Sequence, residues 1–281
     1  ELLERHRCAF TVSATPFLHG LVHHPSLPER DVSSLRVFCC GGADVPPDLV
    51  REGEERLGAL VNRVYGSTEY PTASQGFPED SLPARAETDG RPVRGAELRI
   101  VGEDGGELPA GERGELWVRG PERFVGYLVP PAGETVFDDE GWFATGDMAS
   151  LDAAGHLTIS GRKKDIILRG GENISVKEVE DLLYAHPAIA DVAIVAMPDP
   201  VMVERACAFV VPAEEANEPS LAGLTDYLLD HGLAIQKVPE RLELIDALPK
   251  NLAGKVQKFK LRERIRDLLA AEVSQTMSTR R

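Results

Sequence analysis

Several large protein classes are excluded by what this sequence does not contain. Its 281 residues hold four cysteines, Cys8, Cys39, Cys40 and Cys207, with no CxxC spacing. The vicinal pair falls in the apolar run Leu35-Arg36-Val37-Phe38-Cys39-Cys40, so these read as buried, reduced thiols in a strand, and a reducing, cytoplasmic setting is expected. No apolar run has the length of a transmembrane helix, and no signal-peptide pattern is present. Lys and Arg never form a long run, and the formal net charge is -15. A general nucleic-acid binder is excluded on that ground, because neutralising phosphates requires a basic surface. His23 and His24 are adjacent without a third ligand at zinc spacing, and no metal site is assigned to them. What remains is ordinary for globular protein: 42% hydrophobic and 27% charged residues, with length enough for two domains and a packed core.

The stretch from Gly161 to Glu180, GRKKDIILRGGENISVKEVE, organises the chain. A basic turn meets a short apolar run, then the pair Gly170-Gly171, then a helix start at which Ser175 and Glu178 are expected to form a capping box. This pattern fits either a hairpin turn within one domain or a joint followed by a fresh unit. Upstream, Leu35 to Cys40 reads as a buried strand. Gly41-Gly42-Ala43 then turns into a helix opened by Pro46-Pro47 and running through Leu49, Val50 and Leu57, and a second strand spans Leu60 to Tyr65. Glycine loops at two strand ends of a βαβ unit suit a ligand site, since open α/β sheets bind ligands at the carboxyl ends of their strands. From Ala96 the pattern becomes antiparallel: Ala96 to Val101, a turn at Glu103-Asp104-Gly105-Gly106, then Gly114 to Arg119. Trp142 and Phe143 anchor a further strand, expected to deliver Asp147 after a turn at Thr145-Gly146. Past the hairpin at Leu157 to Ser160, the order is strand, helix, strand, strand, helix, strand. Apolar runs lie at Val192 to Ala196, Ala206 to Val211 and Leu242 to Ile245. Helices are expected near Val176 to Ala185, Leu221 to His231 and Phe259 to Leu269, with a frayed tail from Ser274.

Five motifs stand in order along this chain: Tyr65-Gly66-Ser67-Thr68-Glu69, Gly114-Glu115-Leu116, Thr145-Gly146-Asp147, the Gly161 to Glu180 stretch, and Pro249-Lys250-Asn251-Leu252-Ala253-Gly254-Lys255. Any one of them alone is a weak signal. Together they resemble the core motifs of the acyl- and aryl-adenylate-forming ligases, the superfamily of acyl-CoA synthetases, luciferases and peptide-synthetase adenylation domains. The fold implied combines α/β and α+β parts. Residues 1–163 would be the C-terminal portion of the large adenylate-forming domain, a βαβ unit plus a strand-rich subdomain from about residue 90, and residues 164–281 a small mobile α+β domain.

The resemblance also implies roles. Gly41, Gly42 and Ala43 would line the adenine and acyl pockets. Tyr65 would stack on adenine beside Gly66, Thr68 would bond a phosphate, and Glu69 would hold Mg²⁺, a hard cation that prefers oxygen. Asp147 would accept the ribose hydroxyls, and Arg162 would contact the nucleotide through its planar fork. Lys164 matches the hinge, and Gly170 and Gly171 would line the path of coenzyme A. Lys255 would be the adenylation lysine, with Lys250 a nearby decoy, and Gly114-Glu115-Leu116 would be structural. Val176 stands where many relatives have proline, and the helix start is expected to survive because Ser175 caps it.

No stretch matches the superfamily's Ser/Thr/Gly-rich phosphate loop ending in lysine, so the chain resembles the C-terminal half of such a ligase, and most of the acyl pocket is missing. The implied activity is ATP-dependent activation of a carboxylic acid as acyl-AMP, followed by transfer to coenzyme A, with ATP, Mg²⁺ and coenzyme A required. Without that loop the chain alone is expected to be inactive. The chain ends soon after the Lys255 motif with no carrier domain, which argues against a peptide synthetase. An aryl-acid ligase loading a separate carrier protein and a non-catalytic nucleotide-binding fragment remain as alternatives. The resemblance leaves room for a homodimer.

Overall fold

The structure is a computed structural model of the chain, described for residues 1–42, 45–129, 136–214, 217–251 and 254–279, with side chains followed to residue 272. Ala43, Leu252 and Ala253 lie outside the described residues. The chain divides into two compact units, Glu1–Ile159 and Ser160–Arg281.

The first unit opens with α1 (Leu2–His6), β1 (Phe10–Ser13) and α2 (Thr15–Val22), followed by β2 (Val37–Gly41), α3 (Pro47–Leu57) and β3 (Leu60–Tyr65). Strands β1, β2 and β3 lie parallel in that order. Then come β4 (Ser74–Gln75), α4 (Leu82–Glu87) and β5 (Arg91–Pro92), and β4 and β5 extend the sheet antiparallel beside β3. A strand covered on both faces reads as an unbroken apolar run rather than an alternation. This explains the vicinal cysteines: Cys39 and Cys40 point to opposite faces and both are buried, and burial pushes the Cys40 thiol up to about 11. Helix α3 starts on Pro46-Pro47, ends at Gly58 in the left-handed region, and buries Leu49, Val50, Gly53 and Leu57 at helical spacing.

A second sheet of the first unit is formed by β6 (Glu97–Val101), β7 (Gly114–Arg119), β8 (Phe143–Leu151) and β9 (Leu157–Arg162), ordered β6-β7-β8-β9. Within β7, Gly114, Leu116 and Val118 face the core while Glu115, Trp117 and Arg119 face outward, the period of a half-buried strand. The boundary between the units falls within β9. One expectation is corrected here: Thr145 and Gly146 are not a turn ahead of Asp147 but lie inside β8. Glu115 pairs with Met148 and Trp117 with Ala144, so Thr145, Gly146 and Asp147 bulge opposite Leu116 alone. Gly146 supplies the φ of 72° that the bulge requires.

The second unit contains β10 (Ile167–Arg169), β11 (Glu172–Ile174), α5 (Val176–Tyr184), β12 (Ile189–Asp199), β13 (Val203–Pro212), α6 (Leu221–Asp230), β14 (Arg241–Leu244) and α7 (Lys258–Thr279). The sheet runs β11-β10-β13-β12, with β14 parallel to β13. Val192 and Ile194 pack with α5 and α6 on one face. Ala193, Val195, Cys207 and Phe209 pack with Leu261 and Ile265 of α7 on the other. Two more expectations are corrected. Ser175 does not cap α5: its hydroxyl is buried and donates to the carbonyl of Ser160 at 2.8 Å, while Glu178 pairs with Lys237 at 2.7 Å, so no capping box forms although the helix still begins at Val176. The stretch from Ser274, where no helix was expected, continues α7 as far as Thr279. Among the described residues no helix is long and apolar enough to cross a membrane.

Candidate active site

In the first unit the carboxyl ends of β1, β2 and β3 open on a cleft of about 300 Å³, lined by residues that include Ser13, Gly41, Gly42, Gly66, Ser67 and Thr72. Two of these glycines are there because nothing larger fits. A Cβ on Gly41 would lie 2.6 Å from Val64 Cγ1, and one on Gly66 would lie 2.6 Å from the backbone carbon of Pro71 with its oxygen closer still. Gly42 has φ of 81° and open space around it, so its requirement is conformational.

The loop after β3 is organised by Ser67. Its hydroxyl accepts the amide N–H groups of Glu69 at 3.1 Å and Tyr70 at 3.2 Å, while its own N–H donates to the Tyr70 carbonyl. Thr68 is left exposed at the apex and Glu69 half-buried beside it. Tyr127 donates its hydroxyl to Glu69 Oε1 at 2.8 Å, and desolvation together with that carboxylate pushes the phenol above its usual range. Tyr65, at the end of β3, donates to Asp147 Oδ2 at 2.6 Å. Asp147 is buried, its amide N–H held by the Thr145 hydroxyl, which itself donates to the Leu116 carbonyl. Thus the bulge in β8 turns a carboxylate inward against the tyrosine that ends β3. Gly41, Gly42, Tyr65, Gly66, Thr68, Glu69 and Asp147 all belong to this unit.

Arg162, Lys164, Gly170, Gly171 and Lys255 belong to the second unit. Arg162 ends β9, half-buried, and Lys164 sits exposed in a short helical turn, Lys163–Asp165, anchored by Asp165 on Arg262 at 2.8 Å. Gly170 and Gly171 form a two-residue hairpin between β10 and β11, with φ of 57° and 96°. Two consecutive positive φ values are what this turn class demands. Gly170 also donates its N–H to the Met202 carbonyl at 2.9 Å, and a Cβ there would press on the Met202 side chain. Lys255 is exposed, in the loop between β14 and α7, just past Gly254 at φ of 80°. Lys250 points elsewhere, onto Asp191 at 2.6 Å.

Sequence reasoning missed Ser13, Thr72 and Tyr127. Ser13 closes a four-residue strand, too short for its alternation to stand out. Thr72 and Tyr127 carry no spacing signal, since they reach the cleft and Glu69 by loop geometry alone.

Residues 1–128 match the sequence pattern of AMP-binding enzymes, and residues 178–255 that of the AMP-binding enzyme C-terminal domain. Over 273 residues the chain is 41% identical to the medium-chain fatty-acid–CoA ligase of Escherichia coli (strain K12), which covers 97% of this chain and 48% of that protein. It is 34% identical over 276 residues to the 2,3-dihydroxybenzoate-AMP ligase of Bacillus subtilis (strain 168), covering 96% of this chain and 50% of that one. Among solved structures, ATP-bound MatB from Rhodopseudomonas palustris is similar with a TM-score of 0.85 at 32% identity, over 94% of this chain and 52% of that chain. The chain spans about half the length of the curated relatives it matches. With its glycine-lined cleft, its ordered motifs and these similarities, the chain belongs to the AMP-binding enzyme family of adenylate-forming ligases.

Proposed function

We propose that this chain carries the nucleotide-binding and adenylating residues of an ATP-dependent acid–thiol ligase that forms acyl-AMP from a carboxylic acid and passes the acyl group to coenzyme A. The observation that carries the proposal is the hydrogen bond from Tyr65 to the buried Asp147, made where β3 ends between Val64 and Gly66, two residues that line the glycine-rich cleft. It anchors the tip of an aromatic ring whose face adenine could stack on, and sets beside it a carboxylate that can accept ribose hydroxyls. Gly41, Gly42 and Gly66 let a ligand approach the backbone. Thr68, exposed at the loop apex, would donate to a phosphate oxygen.

Among the described residues no group of three or more His, Cys, Asp or Glu could cage a metal. Mg²⁺ does not need one, because it travels with phosphates and takes only one or two carboxylates. Glu69 fits that role, with its Tyr127 hydrogen bond to be given up. The ion would neutralise charge on the triphosphate. Arg162 and Lys255 supply the cationic groups of the second unit. In the reaction the acid's carboxylate oxygen attacks the α-phosphorus, the bond to the bridging oxygen breaks and pyrophosphate leaves. The Lys255 ammonium stabilises the charge that builds on the oxygens. The thiol of coenzyme A then attacks the acyl carbon, AMP departs, and the thioester remains. Lys164 is proposed as the position at which the chain pivots between the steps, and the Gly170-Gly171 hairpin as a side-chain-free edge for the thiol's approach.

Coenzyme A is preferred as acceptor because the medium-chain fatty-acid–CoA ligase is the more similar of the two relatives, at 41% against 34% identity. The 2,3-dihydroxybenzoate-AMP ligase favours a second reading, an aryl-acid adenylating enzyme that loads a carrier protein. Both are tested by giving the protein that carries this chain ATP, a panel of aliphatic and aryl acids, and either coenzyme A or holo-carrier protein, with pyrophosphate and thioester followed separately. Acid-dependent pyrophosphate and acyl-CoA support the first reading. Thioester only on the carrier supports the second, and neither product with any acid refutes both.

A further inference from the structure

Lys250 is the residue of the Lys255 motif that the proposed chemistry leaves without a task. The loop that both lysines belong to is closed upon itself. Asn251 donates its N–H to the Lys255 carbonyl and accepts the Lys255 N–H on its side-chain oxygen, each at 2.9 Å. Gly254 donates to the Asn251 carbonyl, Gln257 donates to the Pro249 carbonyl at 2.7 Å, and Lys250 and Val256 form a β-bridge. Residues 249–251 and 254–257 are tied together by these bonds, so where they sit depends on what holds the two ends.

Both ends are held by ion pairs to one α5–β12 segment. Lys250 meets Asp191 of β12 at 2.6 Å, and Asp191 is itself fixed by the Tyr184 hydroxyl of α5 at 3.0 Å and by the N–H of Val192. Lys258, at the start of α7, meets Glu180 of α5 at 2.7 Å, and the same Glu180 oxygen accepts the N–H of Ile194 at 2.7 Å. Glu180 and Tyr184 are one helical turn apart and so share a face of α5. The two lysines bracket Lys255 five residues before and three after it.

We propose that Asp191 and Glu180 are positioning residues for Lys255, holding its loop at both ends through Lys250 and Lys258. This rests on the reading of Lys255 as the adenylation lysine. Neither carboxylate touches substrate. Each acts by restricting where the ammonium of Lys255 can be carried, and reacting groups displaced by about 1 Å lose about a hundredfold in rate.

The Lys250–Asp191 pair gives the cleaner test, because Lys250 is 42% exposed, while Asp191, 17% exposed, keeps the hydrogen bonds from Tyr184 and Val192 when the lysine is removed. In the protein that carries this chain, Lys250→Met, Asp191→Asn, the double variant and Lys250→Arg are compared with Lys255→Ala. Amide exchange at Asn251, Gly254 and Lys255 and the two half-reactions are measured, with thermal unfolding as a check on the fold. Lys250→Met is expected to speed exchange at those amides by about tenfold or more without moving the global transition. Acyl-AMP formation should fall by about tenfold or more, while thioester formation from supplied acyl-AMP stays the same. Lys250→Arg should restore both, and the double variant should be no worse than the worse single. The proposal is overturned by unchanged exchange, by faster exchange with unchanged adenylation, or by additive losses in the double variant. If instead Lys255→Ala leaves adenylation intact, the functional reading fails, and the exchange data still decide whether the ion pair holds the loop.

Discussion

Replacing Gly66 by alanine tests the cleft at its tightest point. Gly66 follows the last residue of β3, and the loop returns at once: Ser67 donates to the Tyr70 carbonyl, and Ala73 donates to the Tyr65 carbonyl. An added Cβ would lie 2.6 Å from the Pro71 backbone carbon and 3.0 Å from the Tyr70 oxygen, with the Pro71 oxygen nearer than either. These are backbone atoms and cannot swing aside, so the loop must open by about 1 Å to regain close-packed distances. Overpacking of this kind costs about 1–3 kcal/mol, and for a unit of this size each kcal/mol lowers the thermal midpoint by about 2–4 °C. The same opening carries Tyr65 and Glu69 away from each other's neighbourhood, so nucleotide binding should weaken with stability. Thermal unfolding and calorimetric titration of the chain with ATP and AMP read both effects. Gly20→Ala is the control: Gly20 lies in α2 with nothing within 4 Å of an added Cβ, and there the change should stabilise by about 0.5–1 kcal/mol. If Gly66→Ala unfolds at the wild-type midpoint and binds nucleotide equally well, the close approach of Gly66 and Pro71 is not a feature of the folded protein and the reasoning fails.

Lys164→Pro, which fixes φ in the exposed turn after β9, should slow thioester formation far more than adenylation in the protein that carries this chain; equal rates for both steps would move the pivot elsewhere. The 281-residue chain alone, which contains no Ser/Thr/Gly-rich phosphate loop, should release no acid-dependent pyrophosphate, a result read directly by a coupled phosphate assay. Thiol labelling near neutral pH should reach half-buried Cys8 first, since burial pushes Cys40 to about 11 and Cys207 to about 12 and leaves almost no thiolate; prompt modification of Cys207 in the folded chain would contradict the packing of β13. Acid should weaken the second unit. The Asp199 carboxyl is held low by the N–H groups of Met202 and Val201, and Glu240 is held low by the hydrogen bond from Arg169. Lowered folded values mean that their stabilisation is present above the ordinary carboxylate range and is lost as pH falls through the folded values. Urea midpoints measured from pH 6 to pH 3 should therefore fall, and less steeply in Arg169→Met.

Much of the first unit's parallel sheet was legible because short, mostly apolar stretches bounded by glycine and proline turns fit strands better than helices. Leu35 to Cys40 is such a run but for Arg36, and Leu60 to Tyr65 is a weaker one, with Asn62 and Arg63 buried in its middle, and Pro46-Pro47 opens the helix between them. Strand β1 left no such mark: at the sheet edge, Phe10 and Val12 stay exposed, and four residues hold too few alternations to read. The capping box failed for a different reason. Ser175 and Glu178 have the right spacing, but a buried hydroxyl takes whichever acceptor its surroundings leave unpaired, and here that was the Ser160 carbonyl rather than the helix N-terminus. Local pattern proposes such bonds, and tertiary context reassigns them.

The candidate site divides along the same line. Gly170-Gly171 and Gly254 were readable because positive φ nearly requires glycine, so the residue type itself reports the backbone. The Tyr65–Asp147 bond joins residues 82 apart, and nothing in their spacing brings them together. What does so is the bulge in β8, and the bulge was misread as a turn. The error has a physical source, since a glycine at φ of 72° serves a tight turn and a β-bulge equally well. Only the pairing partner tells the two apart: a turn would send the chain back on itself at Gly146. Here Phe143 and Ala144 pair with β7 before the irregularity, and Met148 and Ala149 pair with it after. The strand therefore continues with extra length on one side, which must be absorbed by rotating Thr145 to Asp147 out of the ladder. That rotation gives the Thr145 hydroxyl to Leu116 and the Asp147 carboxylate to Tyr65, so the local irregularity is what places the acidic group against the tyrosine that ends β3.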